Sequence, residues 1–421
     1  MSWSKLSYQL QELLAQIWVK VLAFAILGVA TALIALLLRP VIPIWLTSRL
    51  GIDAVGVVLQ IIASSMLAVT IFSLSTLVNA WTNAQQHATP RVLPLIVADG
   101  RSQTVLGTFI GAFVFSLVGI IMLQTGVYGG PGRVILFAAT GVVVLLVIAA
   151  LMQWIEILSD LGQIRDVLDR LERATAEAVE YRQTAPWLGG HRWSGDPPEG
   201  AEALLTEAVG RVRHVDAGTL QSIAEAHGLT IYLDGIPGSH AHAARPMLHV
   251  AGLPGPGEPR EVLLRRLMGC FTIGATPSFE QDPLHGLSAL AEVAQRALSP
   301  AINDPGTANE VIQRQLKLLT KAGPVAPGEE IRRPNLHVRE ITARDMMDAA
   351  FAPIARDAGA MMEVQCALMD AVLALTKLQP DFYRDSARRI ADLVLYYAEL
   401  KGIPDPMLAE LRDRASAMNG L

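Results

Sequence analysis

The sequence predicts a membrane α-helical domain of four transmembrane helices joined to a cytoplasmic α+β, mostly helical domain. Three observations predict it: four long apolar runs within residues 1–155, almost no charge inside them, and an ordinary soluble pattern afterwards. A bilayer core about 30 Å thick takes about 20 residues at 1.5 Å rise, and a dry core admits only helices or closed barrels.

The first run, 21–38, lies between Trp18 and Lys20 on one side and Arg39 and Pro40 on the other. The second, 55–78, follows Asp53; the third, 105–123, follows Arg101; the fourth, 134–152, follows Arg133 and ends near Trp154. Tryptophans and cations at such edges suit the headgroup layer, where an apolar body can stay in lipid while the polar tip stays wet. A cleaved leader is the alternative for the first run. Its apolar core exceeds the usual length of about 7 to 15 residues, and no A-x-A-like site follows.

An even number of spans puts both termini on one side. Lys5, Lys20, Arg91, Arg101, Arg165 and Arg170 fall on one face, against Arg39, Arg49 and Arg133 on the other. Cationic loops stay in the cytoplasm, so both termini are expected there.

The 421 residues carry a formal charge of −5, with 52% hydrophobic and 17% charged residues, the average of an apolar third and a normal remainder. No dense basic stripe exists to displace counterions from phosphates, which argues against nucleic acid. Cys270 and Cys366 stand far apart without C-x-x-C partners, as buried reduced thiols do in a cytosolic compartment.

After the fourth span the helix is expected to continue over 156–185. Ile157, Leu161, Ile164, Leu168, Leu171, Thr175 and Ala178 recur in the 4-3-4-3 spacing of a coiled-coil seam. The seam fits either an amphipathic helix packed on its own chain or an intermolecular bundle, and in both cases would join span and soluble domain rigidly. A Pro/Gly-rich linker then breaks the pattern over 186–200. A small α+β module completes 186–270, with strands at 211–215 and 229–233, a third strand ending near Val250, and helices at 218–227 and 260–268. A short strand at 271–274 opens a C-terminal domain, 271–421, that reads as helical from Leu284 onward, the later helices at 343–354, 361–378, 382–400 and 406–418.

The densest polar constellation outside the spans stands at the two ends of one short helix. Glu280, Asp282, Asn303 and Asp304 supply the oxygen ligands a divalent cation prefers, and His285 is nearby. The structural alternative makes Asp282 and Asp304 the N-caps of helices that begin at Pro283 and Pro305. A helix of about 16 residues would hold the clusters more than about 20 Å apart, so one site would need another subunit or a bent connection.

These strings carry a family likeness. Ser278-Phe-Glu-Gln-Asp-Pro283 and Arg296-Ala-Leu-Ser-Pro-Ala-Ile-Asn-Asp-Pro-Gly-Thr-Ala308 resemble the hallmark of a bacterial family of predicted membrane proteins known as domain of unknown function 2254. Thr89-Pro-Arg-Val-Leu93 with Asp99-Gly-Arg-Ser-Gln-Thr-Val-Leu-Gly-Thr-Phe-Ile-Gly-Ala-Phe113 resembles its second loop and third span; Asp348-Ala-Ala-Phe-Ala-Pro-Ile-Ala-Arg356 resembles its C-terminal helical segment. The likeness covers nearly the whole chain. It implies a bacterial membrane protein with a large cytoplasmic domain and no established activity. Where the family pattern reads E-R-T-P-E-Q-D-P, this chain has Ala275-Thr-Pro-Ser-Phe279 before Glu280; the missing arginine argues against an anion-binding role at that loop.

Within the second span Gln60, Ser64, Ser65, Ser75, Thr76 and Asn79 fall within about half the helix circumference. Such a face can line an aqueous path between subunits, or its hydroxyls can bond back to carbonyls of their own helix. Gly107 and Gly111 in the third span form a G-x-x-x-G that permits close helix approach. No Asp, Glu, Lys, Arg or His interrupts the four runs, which disfavours proton- or ion-coupled transport.

His214, His227, His240, His242 and His249 fall in the small module, and His240 with His242 would make half a zinc or nickel site on a strand. Scattered surface histidines explain them as well. The motifs G-x-S-x-G, H-E-x-x-H and G-x-x-x-x-G-K-[ST] are absent. Three readings follow: a homo-oligomeric channel-like conduit with a cytoplasmic assembly or regulatory domain; a membrane-anchored sensor or scaffold binding an ion, metabolite or protein; and an anchored hydrolase using Glu280 and Asp282.

Overall fold

A computed structural model describes residues 54–97, 99–125, 130–160, 163–324 and 331–417, with scattered positions between Trp18 and Ile34. The first apolar run falls largely outside the described residues. Three described helices are long and apolar enough to cross a membrane: α1 (Ala54–His87), α3 (Gly100–Gln124) and α4 (Gly130–Asp160), with the short α2 (Leu93–Val97) between the first two. Each matches a predicted run and extends past it.

The described chain forms two compact units, divided close to Val167 and Leu168. In the first, α1, α3 and α4 bury one stripe each. Ile62, Met66 and Leu77 of α1 meet Val105, Phe109 and Ala112 of α3 and Val147, Ala150 and Trp154 of α4. A second cluster joins Val55, Leu59, Phe115 and Leu136. Gly119 lets α3 close on α1, since a β-carbon there would stand 3.1 Å from Leu59. Gly107 and Gly111 are both buried. Asp99 starts α3 by accepting the Arg101 amide at 3.2 Å.

The predicted continuous helix after the last span is instead two. α4 ends at Asp160, Gln163 is not helical, and α5 (Ile164–Thr184) begins afresh. Leu168, Leu171, Thr175 and Ala178 are completely buried, and Thr175 packs on Gly286. This half of the seam is therefore spent on the chain's own core. On the flank of α5, Asp169 and Glu172 both pair with Arg314 at 2.7 Å.

Two sheets follow. β1 (His191–Trp193), β2 (Glu202–Leu204), β4 (Thr230–Leu233), β6 (Leu248–Ala251) and β8 (Leu336–Arg339) make a mixed five-stranded sheet in the order β1-β8-β4-β6-β2. β8 runs parallel to both β1 and β4; the other pairs are antiparallel. One face buries Leu204, Ile231, Leu233, Leu248, Val250, Leu336 and Val338. On the opposite face His191, His337, Tyr232 and His249 stand opposite one another in register, and the first three rings stack at 4.7 to 4.8 Å. β3 (Gly210–Val215), β5 (His240–Ala241) and β7 (Phe271–Gly274) make a three-stranded antiparallel sheet in the order β5-β3-β7. α6 (Ala217–His227), capped by Asp216 and ended by Gly228 at φ +64, and α7 (Glu258–Met268) complete this part.

Two expectations change here. The stretch read as a linker contains β1, because residues 191–193 pair with a strand about 145 positions later. The stretch read as wholly helical after Leu284 contains β8, whereas β7 is the short strand expected at 271–274. Both sheets are thus completed from the C-terminal segment, and residues 168–421 form one unit. The remaining helices are α8 (Pro283–Ala297), α9 (Pro305–Lys321), α10 (Ala343–Ala358), α11 (Met362–Leu378), α12 (Pro380–Leu400) and α13 (Asp405–Ser416). α8 packs on α10, α10 on α12, α12 on α11, and α9 on both α8 and α11.

Candidate functional site: a cleft around Arg182

In each of the two polar clusters singled out in the sequence an aspartate caps a helix. Asp282 accepts the His285 amide at 3.1 Å and opens α8; Asp304 accepts the Thr307 amide at 3.1 Å and its hydroxyl at 2.6 Å and opens α9. The Thr307 hydroxyl bond holds the Asp304 carboxyl below the usual range. Asn303 is exposed at φ +52, Glu280 is exposed, and the His285 ring packs at a tilt against Phe279, centroids 4.3 Å apart. The 15 residues of α8 separate the two groups, and among the described residues no three His, Cys, Asp or Glu side chains are gathered to hold a metal ion. His240 is exposed at a sheet edge, and His242 accepts the Ala244 amide through Nδ1. The neighbouring Arg211 holds His240 below the ordinary histidine range.

Gln281 has a separate task. Its Oε1 accepts the Val215 amide at 3.1 Å and its Nε2 donates to the Tyr181 hydroxyl at 3.2 Å, tying β3 to α5. Asp282 lies against Gly238, whose φ of +89 and bare Cα leave room for the carboxylate.

The polar face of α1 points away from the helical unit's core. Gln60, Ser64, Ser75 and Asn79 are exposed, and Ser65 and Thr76 partly so. Ser64 donates to the Gln60 carbonyl at 3.0 Å, Ser65 to Ile61 at 2.7 Å and Thr76 to Phe72 at 3.0 Å. These hydroxyls are satisfied within their own helix, which removes most of the cost of placing them in lipid.

The soluble unit holds a different site. A cleft of about 360 Å³ is lined by Arg182, Gln183 and Trp187 on one side, Arg192, Glu340 and Ile341 on another, and Asp381 and Phe382 on a third. Its volume falls in the range of small-molecule pockets, about 300 to 1,000 Å³. Arg182 stands four residues after Ala178, at the next position of the seam, so helix geometry turns a half-buried guanidinium toward the cleft. It makes no hydrogen bond or ion pair with the described residues. Burial lowers its pKa to about 10, against the opposing pull of Asp282, Glu340 and Asp345, so it stays charged at neutral pH. Burial likewise pushes Asp282 up to about 6, opposed by the α8 amides of His285 and Leu284 and by Arg182 and Arg211.

The walls are fixed by named bonds. Arg192 pairs with Glu340 at 2.6 Å. Gln183 donates to the Gly323 carbonyl at 2.8 Å, and the Tyr383 hydroxyl to the Leu319 carbonyl at 2.8 Å. Trp187 and Leu188 sit at φ +48 and +55, two adjacent left-handed residues that each cost about 1 kcal/mol or more. Arg333 holds this turn by donating to the Leu188 carbonyl, while the Arg332 and Arg333 amides donate to Gly189. The strained turn places Trp187 in the cleft wall. The polar lining is arginine, glutamine and carboxylate, groups suited to holding and orienting an ion.

Sequence reasoning passed over Arg182, Trp187, Arg192 and Glu340. Arg182 carried a signal: extending the seam by one interval puts a cation where an apolar residue belongs. Trp187 and Glu340 carried none, because the turn and β8 exist only through distant pairing.

No solved structure matches this chain. Uncharacterized protein Mb1321c of Mycobacterium bovis and Uncharacterized protein Rv1290c of Mycobacterium tuberculosis are each 28% identical to it over 294 residues, 67% of this chain and 54% of theirs. The chain thus spans about half the length of the curated relatives it matches. The family described as "Predicted membrane protein (DUF2254)" matches residues 15–374. With three helices of spanning length and this match over most of its length, the chain belongs to the DUF2254 family of predicted membrane proteins.

Proposed function

We propose that this protein is a membrane-anchored sensor or scaffold whose soluble unit binds a small anion with an apolar body in the Arg182 cleft. One observation carries the reading: the half-buried Arg182 guanidinium lines the cavity with no hydrogen bond or ion pair to a described residue. A guanidinium on a cavity wall is met by a carboxylate or phosphate through paired, charge-assisted bonds, which are stronger than neutral ones. Trp187, Ile341, Met346 and Phe382 supply an apolar wall for the rest of such a molecule. In this reading four spans hold the protein in the inner membrane, with both termini and the soluble unit in the cytoplasm, as the Lys and Arg distribution favours.

Thermal unfolding of the detergent-solubilised full chain tests it. Phenyl phosphate and benzoate raise the midpoint, phenol and benzamide do not, and Arg182→Met abolishes the difference. Equal shifts with neutral and anionic probes, or shifts that survive Arg182→Met, overturn the reading.

The conduit remains a second reading, supported by the outward direction of Gln60, Ser64, Ser75 and Asn79. It requires several copies around that face. Ion flux through liposomes holding the full chain supports it; sealed liposomes across a panel of ions count against it.

A further inference from the structure

We infer that the outward stripe of α1 is a contact between two copies of this chain. Gln60, Ser64, Leu67, Ile71, Ser75 and Val78 follow one another at intervals of 4, 3, 4, 4 and 3 residues, and all are exposed. That spacing keeps them on one seam of the helix, the arrangement two helices use to pack along their lengths. The outer face of α4 shows the contrast. There Phe137, Val142, Leu145, Leu146, Ile148 and Met152 are exposed, an apolar surface that suits lipid. The stripe on α1 instead mixes apolar residues with a carboxamide and hydroxyls. Among the described residues no side-chain hydrogen bond engages the Gln60 carboxamide, the Ser75 hydroxyl or the adjoining Asn79 carboxamide, Gln60 accepting from Ser64 through its backbone carbonyl alone.

A second copy is the occupant whose chemistry fits. Copies in one membrane share an orientation, so a two-fold axis along the stripe sets Gln60 against Gln60 of the partner and Ser75 against the partner's Ser75. A carboxamide both donates and accepts, and is therefore complementary to itself; a serine hydroxyl is too. The other available occupant is the first apolar run of the same chain. Across 21–38 it carries Thr31 as its single side chain able to hydrogen-bond, so it cannot satisfy a carboxamide and a separate hydroxyl together.

Disulfide trapping in isolated membranes tests the pairing. In the full chain carrying Cys270→Ala and Cys366→Ala, single cysteines are placed by Ser64→Cys, Ser75→Cys and, as a lipid-facing control, Leu145→Cys. Mild oxidation is expected to give dimers at 64 and 75 in severalfold higher yield than at 145. Equal yields overturn the inference. So does an internal link within one chain between Ser64→Cys and Thr31→Cys, which would make the first run the occupant. As a second readout, light scattering in detergent is expected to show a dimer that Gln60→Leu with Ser75→Leu converts to monomer. A dimer untouched by both changes, or assemblies larger than two, would contradict it.

Discussion

Gly286 of α8 lies flush against Thr175 of α5, so close that a β-carbon at 286 would overlap the threonine hydroxyl. Thr175 cannot yield easily: it is fully buried and its Oγ1 donates to the Leu171 carbonyl at 2.6 Å. Gly286→Ala is therefore expected to lower stability by about 1 to 3 kcal/mol, as overpacking does. Adding Thr175→Ala should recover part of the loss. Thermal midpoints of the two variants in the same detergent check this, and an unchanged midpoint in Gly286→Ala would refute the close contact.

Asp282 predicts a pH dependence with an unusual sign. Its pKa in the folded chain is about 6, raised from an ordinary 3.8 by burial. Between those values the folded state holds more protons than the unfolded one, so stability from this group is complete below about pH 4 and is lost as pH rises through 6. The loss is on the order of 3 kcal/mol. Carboxylates held below their usual range, such as Asp234 and Asp357, act in the opposite sense at lower pH, so the comparison needs a variant. Asp282→Asn keeps an N-cap and removes the titration. The difference between wild type and Asp282→Asn should grow between pH 4 and 6 in the variant's favour; parallel profiles would contradict the assignment.

Asp304 offers the simpler case. Capping through Thr307 predicts that Asp304→Ala costs about 1 kcal/mol and Asp304→Asn much less. If the residue instead bound a divalent cation, Mg²⁺ or Ca²⁺ would raise the wild-type midpoint and not that of Asp304→Asn. Midpoints with and without chelator are expected to coincide in both chains.

What could be read in the sequence was whatever rests on local chemistry. The runs at 55–78, 105–123 and 134–152 became helices because length and the absence of charge leave a dry segment few other choices. Asp282-Pro283 and Asp304-Pro305 announced two helix starts through cap and first-turn chemistry. β1 and β8 were not legible, since each is only three or four residues long and owes its extended form to a partner far along the chain. The same holds for the left-handed pair Trp187 and Leu188, which no local preference favours. The non-helical Gln163 was hidden by a heptad that runs through it in sequence. The cleft was only partly legible: the seam pointed to Arg182, but Glu340 reaches it from the end of a strand, β8, that the sequence did not disclose.

Calorimetric titration of phenyl phosphate into the full chain in lipid nanodiscs tests the central claim most directly. A single saturable site is expected, with affinity falling tenfold or more in Arg182→Met, the loss of a charge-assisted bond of about 1.5 to 3 kcal/mol. Equal affinity in the two chains, or no saturable heat in either, would contradict it.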